Sequence, residues 1–241
     1  MSTIADRLAS IHAAIAEAAA RSGRSAEDVA LVAVSKTQPP EVVQEAIDAG
    51  QLIFGENRVQ EARAKIPLLP ARVRWHLIGH LQKNKIRQAL PLFTLIESID
   101  SLELALDLDR IAAELGVFPR ALLEVNVAGE GTKFGFTPDR LRADLEALLR
   151  LERVQIEGLM CIPPPVPRAE DARRYFVALR ELRDRLAAES GAPLLQLSMG
   201  MSGDFPVAVE EGATLVRVGS AIFGERKGKA WKPDSAAGFD E

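Results

Sequence analysis

The stretch ALVAVSK, residues 30–36, is where the fold can first be deduced. Five consecutive apolar residues predict a short buried strand, and Lys36 stands at its carboxyl end. A lysine is costly to bury, so an ammonium at the edge of a core needs a reason. Its amine reaches either water or a ligand.

Similar short β-rich runs recur along the chain and alternate with longer amphipathic segments, such as 40–50, 101–116 and 169–191. The eight runs are residues 29–35, 52–55, 74–79, 93–98, 121–127, 154–162, 194–199 and 214–219. This alternation predicts an α/β fold, a single (β/α)8 TIM barrel with an extra N-terminal helix. A doubly wound open sheet is the alternative, but no G-x-G-x-x-G follows the first strand, which weakens its dinucleotide-binding version.

Composition excludes several classes of protein. The 241 residues are 47% hydrophobic and 27% charged, as in ordinary globular domains. The net charge is −4, whereas a nucleic-acid-binding surface requires an excess of Lys and Arg. Cys161 is the only cysteine, which fits a cytoplasmic protein without internal disulfides. No run approaches the ~18 apolar residues of a membrane span, and the N-terminus lacks the apolar core of a signal peptide. We expect one domain over 1–241, with 226–241 as a loose tail.

In a barrel the carboxyl ends of all strands meet on one face, where active sites lie. Polar side chains follow most of the predicted strands. They are Lys36 after the first; Asn57 and Arg58 after the second; His80, Gln82 and Asn84 after the third; and Asn126 and Lys133 after the fifth. Met160 and Cys161 end the sixth strand.

Two glycine- and serine-containing loops follow the last two predicted strands, GMSGDF at 200–205 and VGSAIF at 218–223. Backbone N–H groups at the start of a helix bind phosphate, and barrel enzymes often bind phosphate in these two loops. Simple helix capping is the alternative. With a phosphate ligand, Lys36 either contacts the phosphate as a point charge or forms a Schiff base with an aldehyde or ketone.

Six motifs, in order and spacing, resemble the pyridoxal 5′-phosphate homeostasis protein family. They are AVSK (33–36), FGENRVQE (54–61), WHLIGHLQKNK (75–85), GLM (158–160), LSMGMSGDF (197–205) and RVGSAIFG (217–224). The resemblance spans nearly the whole chain. It implies a single barrel similar to the N-terminal domain of alanine racemase, with pyridoxal phosphate held as an internal aldimine.

The resemblance assigns cofactor-binding roles to seven residues. Lys36 matches the Schiff-base lysine, and Arg217 matches the arginine that faces the pyridine nitrogen. The phosphate-binding positions are Ser202, Gly219 and Ser220, and positions lining the cofactor are Asn57 and Met199. No catalytic residue and no metal ligand is expected, His80 receives no role, and core packing is expected for Trp75 and His76.

Two functions remain open from the sequence. One is a pyridoxal phosphate binder that stores, buffers or delivers cofactor, with apo-enzymes as possible recipients. The other is an amino-acid racemase or decarboxylase, which needs a second acid–base group. We expect no second domain after the barrel, and the only tyrosine, Tyr175, falls on a predicted outer helix. These points favour the binder, expected as a monomer. A Schiff-base aldolase would keep the lysine and the phosphate loops but leaves the motifs unexplained.

Overall fold

A computed structural model describes residues 2–130, 134–224 and 231. The strands are β1 Ala30–Val34, β2 Ile53–Glu56, β3 Arg74–Leu77, β4 Leu95–Ile99, β5 Arg120–Glu124, β6 Gln155–Met160, β7 Gln196–Ser198 and β8 Leu215–Val218. The α-helices are α1 Ile4–Arg21, α2 Pro40–Asp48, α3 Val59–Lys65, α4 Ile86–Ala89, α5 Leu102–Leu115, α6 Pro138–Leu149, α7 Arg173–Ser190, α8 Phe205–Glu210 and α9 Ser220–Phe223. Short 3₁₀ turns cover Ala26–Asp28, Ile66–Leu68, Lys83–Lys85 and Ala169–Ala172.

The strands form a closed parallel barrel in chain order, β1 to β8. Closure is made by β1 and β8, where Val32 lies opposite Arg217. The (β/α)8 prediction and the extra N-terminal helix are therefore confirmed, and the open doubly wound sheet is excluded because the sheet has no free edge. The predicted tail 226–241 lies outside the described residues, apart from Trp231.

Helix α1 begins with a capping box in which Thr3 and Asp6 exchange side-chain and backbone hydrogen bonds. Its apolar face is buried and consists of Ile4, Leu8, Ile11, Ile15, Ala18 and Ala19. This face packs on α8 and α9, the two short helices that follow β7 and β8. The N-terminal helix thus packs against the two helices that follow the glycine-serine loops. Within the described part of the chain, no helix has the length and apolar content needed to cross a membrane.

The barrel interior has an apolar layer with a polar layer above it. The apolar layer is formed by Val32, Leu95, Leu122, Met160 and Leu215. Side chains two positions apart on a strand face the same side, so the next inward residues on β4, β5 and β8 are Glu97, Glu124 and Arg217. Ser198 of β7 also faces inward, where it hydrogen-bonds Glu97 and Arg217, and all four residues are buried. The sequence therefore places charged groups inside the barrel, towards the carboxyl ends of the strands.

Candidate functional site

A cavity of about 540 Å³ opens at the carboxyl ends of the strands. Six of the seven predicted cofactor residues line it, namely Lys36, Asn57, Ser202, Arg217, Gly219 and Ser220. These side chains come from β1, β2, β7 and β8 or the loops that follow them. The barrel thus brings together residues as distant in sequence as Lys36 and Ser220.

Met199 is the exception among the predicted cofactor residues. Its side chain is fully buried in the main apolar core and is not among the residues that line the cavity. The methionine of this loop that lines the cavity is Met201. The difference arises because Ser198, one position earlier, faces the barrel interior through its hydrogen bonds to Glu97 and Arg217, so Met199 faces the surrounding core.

The loop that carries Lys36 is held by a buried ion cluster. The Lys65 ammonium is fully buried and donates to the Ser35 carbonyl at 2.9 Å, to Glu56 Oε1 at 2.7 Å and to Glu61 Oε1 at 3.3 Å. Glu61 also accepts the backbone N–H of Thr37. Both neighbours of Lys36 are therefore anchored to the same ammonium. Sequence analysis missed this cluster, although Lys65 follows Glu61 at helical i,i+4 spacing.

Thr37 has a backbone φ of 65°, in the left-handed region that residues other than glycine seldom adopt. Its carbonyl accepts a hydrogen bond from the Trp231 N–H at 3.1 Å. The Trp231 ring lies 5.3 Å from Lys65 Nζ, within cation–π distance. These contacts hold the unusual conformation that directs the chain away from β1 immediately after Lys36.

Arg217 is fixed in the cavity floor by a chain of buried groups. Its guanidinium donates to Ser198 Oγ at 2.5 Å and to the Cys161 carbonyl at 2.7 Å. Ser198 in turn donates to Glu97 Oε2 at 2.5 Å, and the other oxygen of Glu97 accepts from His76 Nδ1 at 2.7 Å. The arginine is thereby locked in one orientation.

Glu97 is the carboxylate of this chain of buried groups and is itself completely buried. Burial raises its pKa, but the hydrogen bond from His76 and the charges of His76 and Arg217 outweigh it, so the pKa lies below its usual value. Sequence reasoning assigned only packing to His76 and overlooked Glu97. The available signal was a carboxylate inside the apolar run FTLIES, 93–98. The packing expected for Trp75 is present, since the centroids of its ring and the Phe54 ring lie 5.5 Å apart.

The two glycine-serine loops touch each other at the cavity. Ser202 Oγ accepts the backbone N–H groups of Gly219 at 3.2 Å and Ala221 at 3.4 Å. A hydroxyl that accepts two N–H bonds still has its own hydrogen to donate. A Cβ on Gly219 would meet the Cβ and carbonyl oxygen of Val34 at 3.3 Å, so the close approach of β8 to β1 favours glycine there.

Glu124 is a further titratable group of the polar layer. Burial and the nearby charge of Asp100 raise its pKa to about 7, although Arg217 acts in the opposite direction. Asp100 itself is hydrogen-bonded to His80 Nδ1 at 2.9 Å. Glu124 thus changes charge near neutral pH inside the barrel.

Tyr175 and Lys133 were also considered in the sequence argument. Tyr175 lies on α7, in the outer helix layer, as predicted, where Arg174 stacks on its ring. Lys133 lies outside the described residues.

The chain resembles known proteins over most of its length. The family model described as "Alanine racemase, N-terminal domain" matches residues 7–227. A pyridoxal phosphate homeostasis protein of Aquifex aeolicus (strain VF5) is 45% identical over 223 residues, 92% of this chain and 98% of the relative. One of Escherichia coli (strain K12) is 41% identical over 235 residues, 94% and 98% of the two chains. The chain belongs to the pyridoxal phosphate homeostasis protein family.

Solved structures place this member of the homeostasis protein family among similar barrels. PipY of Synechococcus elongatus PCC7942, solved with pyridoxal phosphate bound, is 44% identical, with a TM-score of 0.81 over 92% of this chain and 100% of PipY. An alanine racemase of Clostridium difficile 630 has a TM-score of 0.67 over 84% of this chain and 53% of the racemase. At 16% identity, this second likeness concerns the fold alone.

Proposed function

We propose that this protein binds pyridoxal 5′-phosphate in the cavity and acts in cofactor homeostasis by storing, buffering or delivering it. The observation that carries the proposal is one cavity lined by Lys36, Arg217 and both glycine-serine loops. Its volume of about 540 Å³ is in the usual range for small-molecule sites. Relatives at 41–45% identity carry the homeostasis name, and PipY was solved with this cofactor.

The residues fit the chemical groups of the cofactor. The Ser202 hydroxyl has a hydrogen to donate, and the Ser220 N–H has no acceptor among the described residues, so both suit a phosphate. Lys36 lines the same cavity and supplies the amine for a covalent link to the aldehyde. Asn57 lines the same cavity as Lys36.

Arg217 sets the limit on catalysis. A guanidinium stays charged and only donates hydrogen bonds, so a pyridine nitrogen facing it must be unprotonated. The ring of the cofactor supplies an electron sink for carbanions, and it is a weaker sink without that proton. The chain through Ser198 and Glu97 keeps the guanidinium in place. The site therefore suits retention of the cofactor better than racemisation.

The competing racemase function requires a second acid–base group opposite Lys36. The only tyrosine of the chain, Tyr175, lies on outer helix α7. We further propose that the chain is one domain over 1–241, a monomer, and cytoplasmic, the last because its single cysteine suits a reducing compartment.

Borohydride reduction tests cofactor attachment. Peptide mapping after reduction is expected to find the pyridoxyl group on Lys36, and Lys36→Ala should lose the cofactor absorbance while keeping its fold. Lys83→Ala is the control, because Lys83 is paired with Glu103 on the outer surface. A label on Lys83 or Lys133 instead of Lys36 would contradict the assignment.

Cofactor transfer tests the homeostasis function itself. Loaded protein mixed with an apo-enzyme that requires pyridoxal phosphate should restore that enzyme's activity. The same protein should neither racemise nor decarboxylate a panel of amino acids. Turnover on any amino acid at an enzyme-like rate, about 1–10³ s⁻¹, would favour the racemase or decarboxylase instead.

A further inference from the structure

We propose that a second cavity, beside the first, binds the oxyanion group of a small metabolite, a phosphate monoester or a carboxylate. Its volume is about 510 Å³, and it is lined by Asn57, Arg58, Val59, Gln60, Gly79, His80, Gln82 and Lys85. We call this the β2–β3 cleft. Asn57 lines both cavities, so a ligand in the cleft lies next to one in the first cavity.

The cleft is built from two sequence motifs that contribute little to the first cavity. They are FGENRVQE, 54–61, and WHLIGHLQKNK, 75–85, of which only Asn57 and Ile78 have a place in the first cavity. The two loops are fixed against each other. The Ile78 N–H donates to the Glu56 carbonyl at 3.0 Å, and a Cβ on Gly79 would collide with the backbone oxygen of Asn57. The walls of the cleft are therefore preformed.

The charge of the cleft is positive and uncompensated. Arg58 and Lys85 have no ion pair or side-chain hydrogen bond with any residue in 2–130, 134–224 or 231. Most arginines of the chain do have such partners, and Lys83, two residues before Lys85, is paired with Glu103 and Asp107 of α5. No carboxylate among the described residues lines the cleft. Two cations that line the same cavity without a paired carboxylate favour an anion there.

Neutral donors complete the lining. The side-chain amides of Asn57, Gln60 and Gln82 line the cleft, and each carries two N–H donors. His80 is oriented by two contacts, Nδ1 with Asp100 at 2.9 Å and the ring stacked on Phe134 at 4.0 Å. A planar oxyanion or a phosphate can accept from an arginine and several such donors at once.

The test compares two charge-matched double variants. Arg58→Gln/Lys85→Gln removes both cations from the cleft. Arg72→Gln/Arg74→Gln removes two exposed cations at the opposite end of β3. Protein saturated with pyridoxal phosphate is titrated separately with inorganic phosphate and with acetate, and binding is followed by the NMR shifts of the Gln60 and Gly79 amides. Cofactor absorbance and thermal unfolding are recorded on the same samples.

The parent protein and the control variant should bind phosphate, acetate or both at one site that shifts these amides. The Arg58→Gln/Lys85→Gln variant should bind the anion at least about tenfold more weakly than the parent, because charge-assisted contacts are lost. Response to one anion alone identifies its chemical class and supports the proposal. The proposal is overturned if neither anion shifts the amides, or if both double variants bind equally. Cofactor absorbance reports occupancy of the first cavity separately from the amide shifts. A failure of cofactor binding is therefore distinguished from a failure of anion binding in the cleft.

Discussion

Replacing Glu124 by glutamine gives a sharp test of the polar layer inside the barrel. Glu124 is only 8% exposed, and its pKa is raised to about 7 by burial and by Asp100. Glutamine has nearly the same shape and cannot ionise. The variant therefore removes a titration from the barrel without leaving a cavity.

The size of the effect follows from proton linkage. A glutamate whose folded pKa lies above its unfolded value of 4.5 stabilises the fold at low pH. That contribution is lost as pH rises from about 4.5 through 7, because the unfolded chain ionises more readily. With 1.36 kcal/mol per pKa unit, the loss between about pH 5 and about pH 8 is roughly 2.5 kcal/mol. Glu124→Gln should not show it.

The assay is urea unfolding of parent and variant at both pH values. The variant's stability relative to the parent should rise by about 2.5 kcal/mol from pH 5 to pH 8. Any pH-independent effect of the amide cancels in this difference. Glu17→Gln, on the exposed side of α1, controls for loss of one carboxylate. A difference for Glu124→Gln within about 0.5 kcal/mol of zero would refute the reasoning.

Two further substitutions test the buried networks. Lys65→Met leaves the carboxylate of Glu56 buried without its ammonium, so urea unfolding near neutral pH should show a loss of about 3–5 kcal/mol in the free energy of unfolding. Lys83→Met removes a surface ion pair and should change stability little. Equal effects of the two substitutions would contradict the role of burial. Glu97→Gln removes the charge that orients Arg217 through Ser198, so equilibrium dialysis should show cofactor affinity lowered by about tenfold. Unchanged affinity would mean that the position of Arg217 does not depend on this carboxylate.

Local patterns in the sequence were sufficient for the barrel and for much of the site. Apolar runs of strand length alternating with amphipathic segments predict a parallel α/β fold, because parallel strands need helical crossovers that cover them, and eight such runs favoured the barrel over an open sheet. Once the strands form a barrel, residues that end them meet on one face. Lys36, Asn57 and the two glycine-serine loops can therefore be assigned to one face from strand ends, whereas Arg217 was assigned through the family resemblance.

Only the tertiary structure decided which groups support that cavity. The Lys65 cluster joins α3 to both β1 and β2, and the chain from His76 to Arg217 crosses the barrel through β4 and β7. Pairings of this kind depend on the register of the strands and on which side chains point inward. A single sequence carries no direct record of either, and a one-residue shift in a strand reverses its inward face. Met199 shows the consequence, since its neighbour Ser198 takes the inward position and Met199 lies in the core.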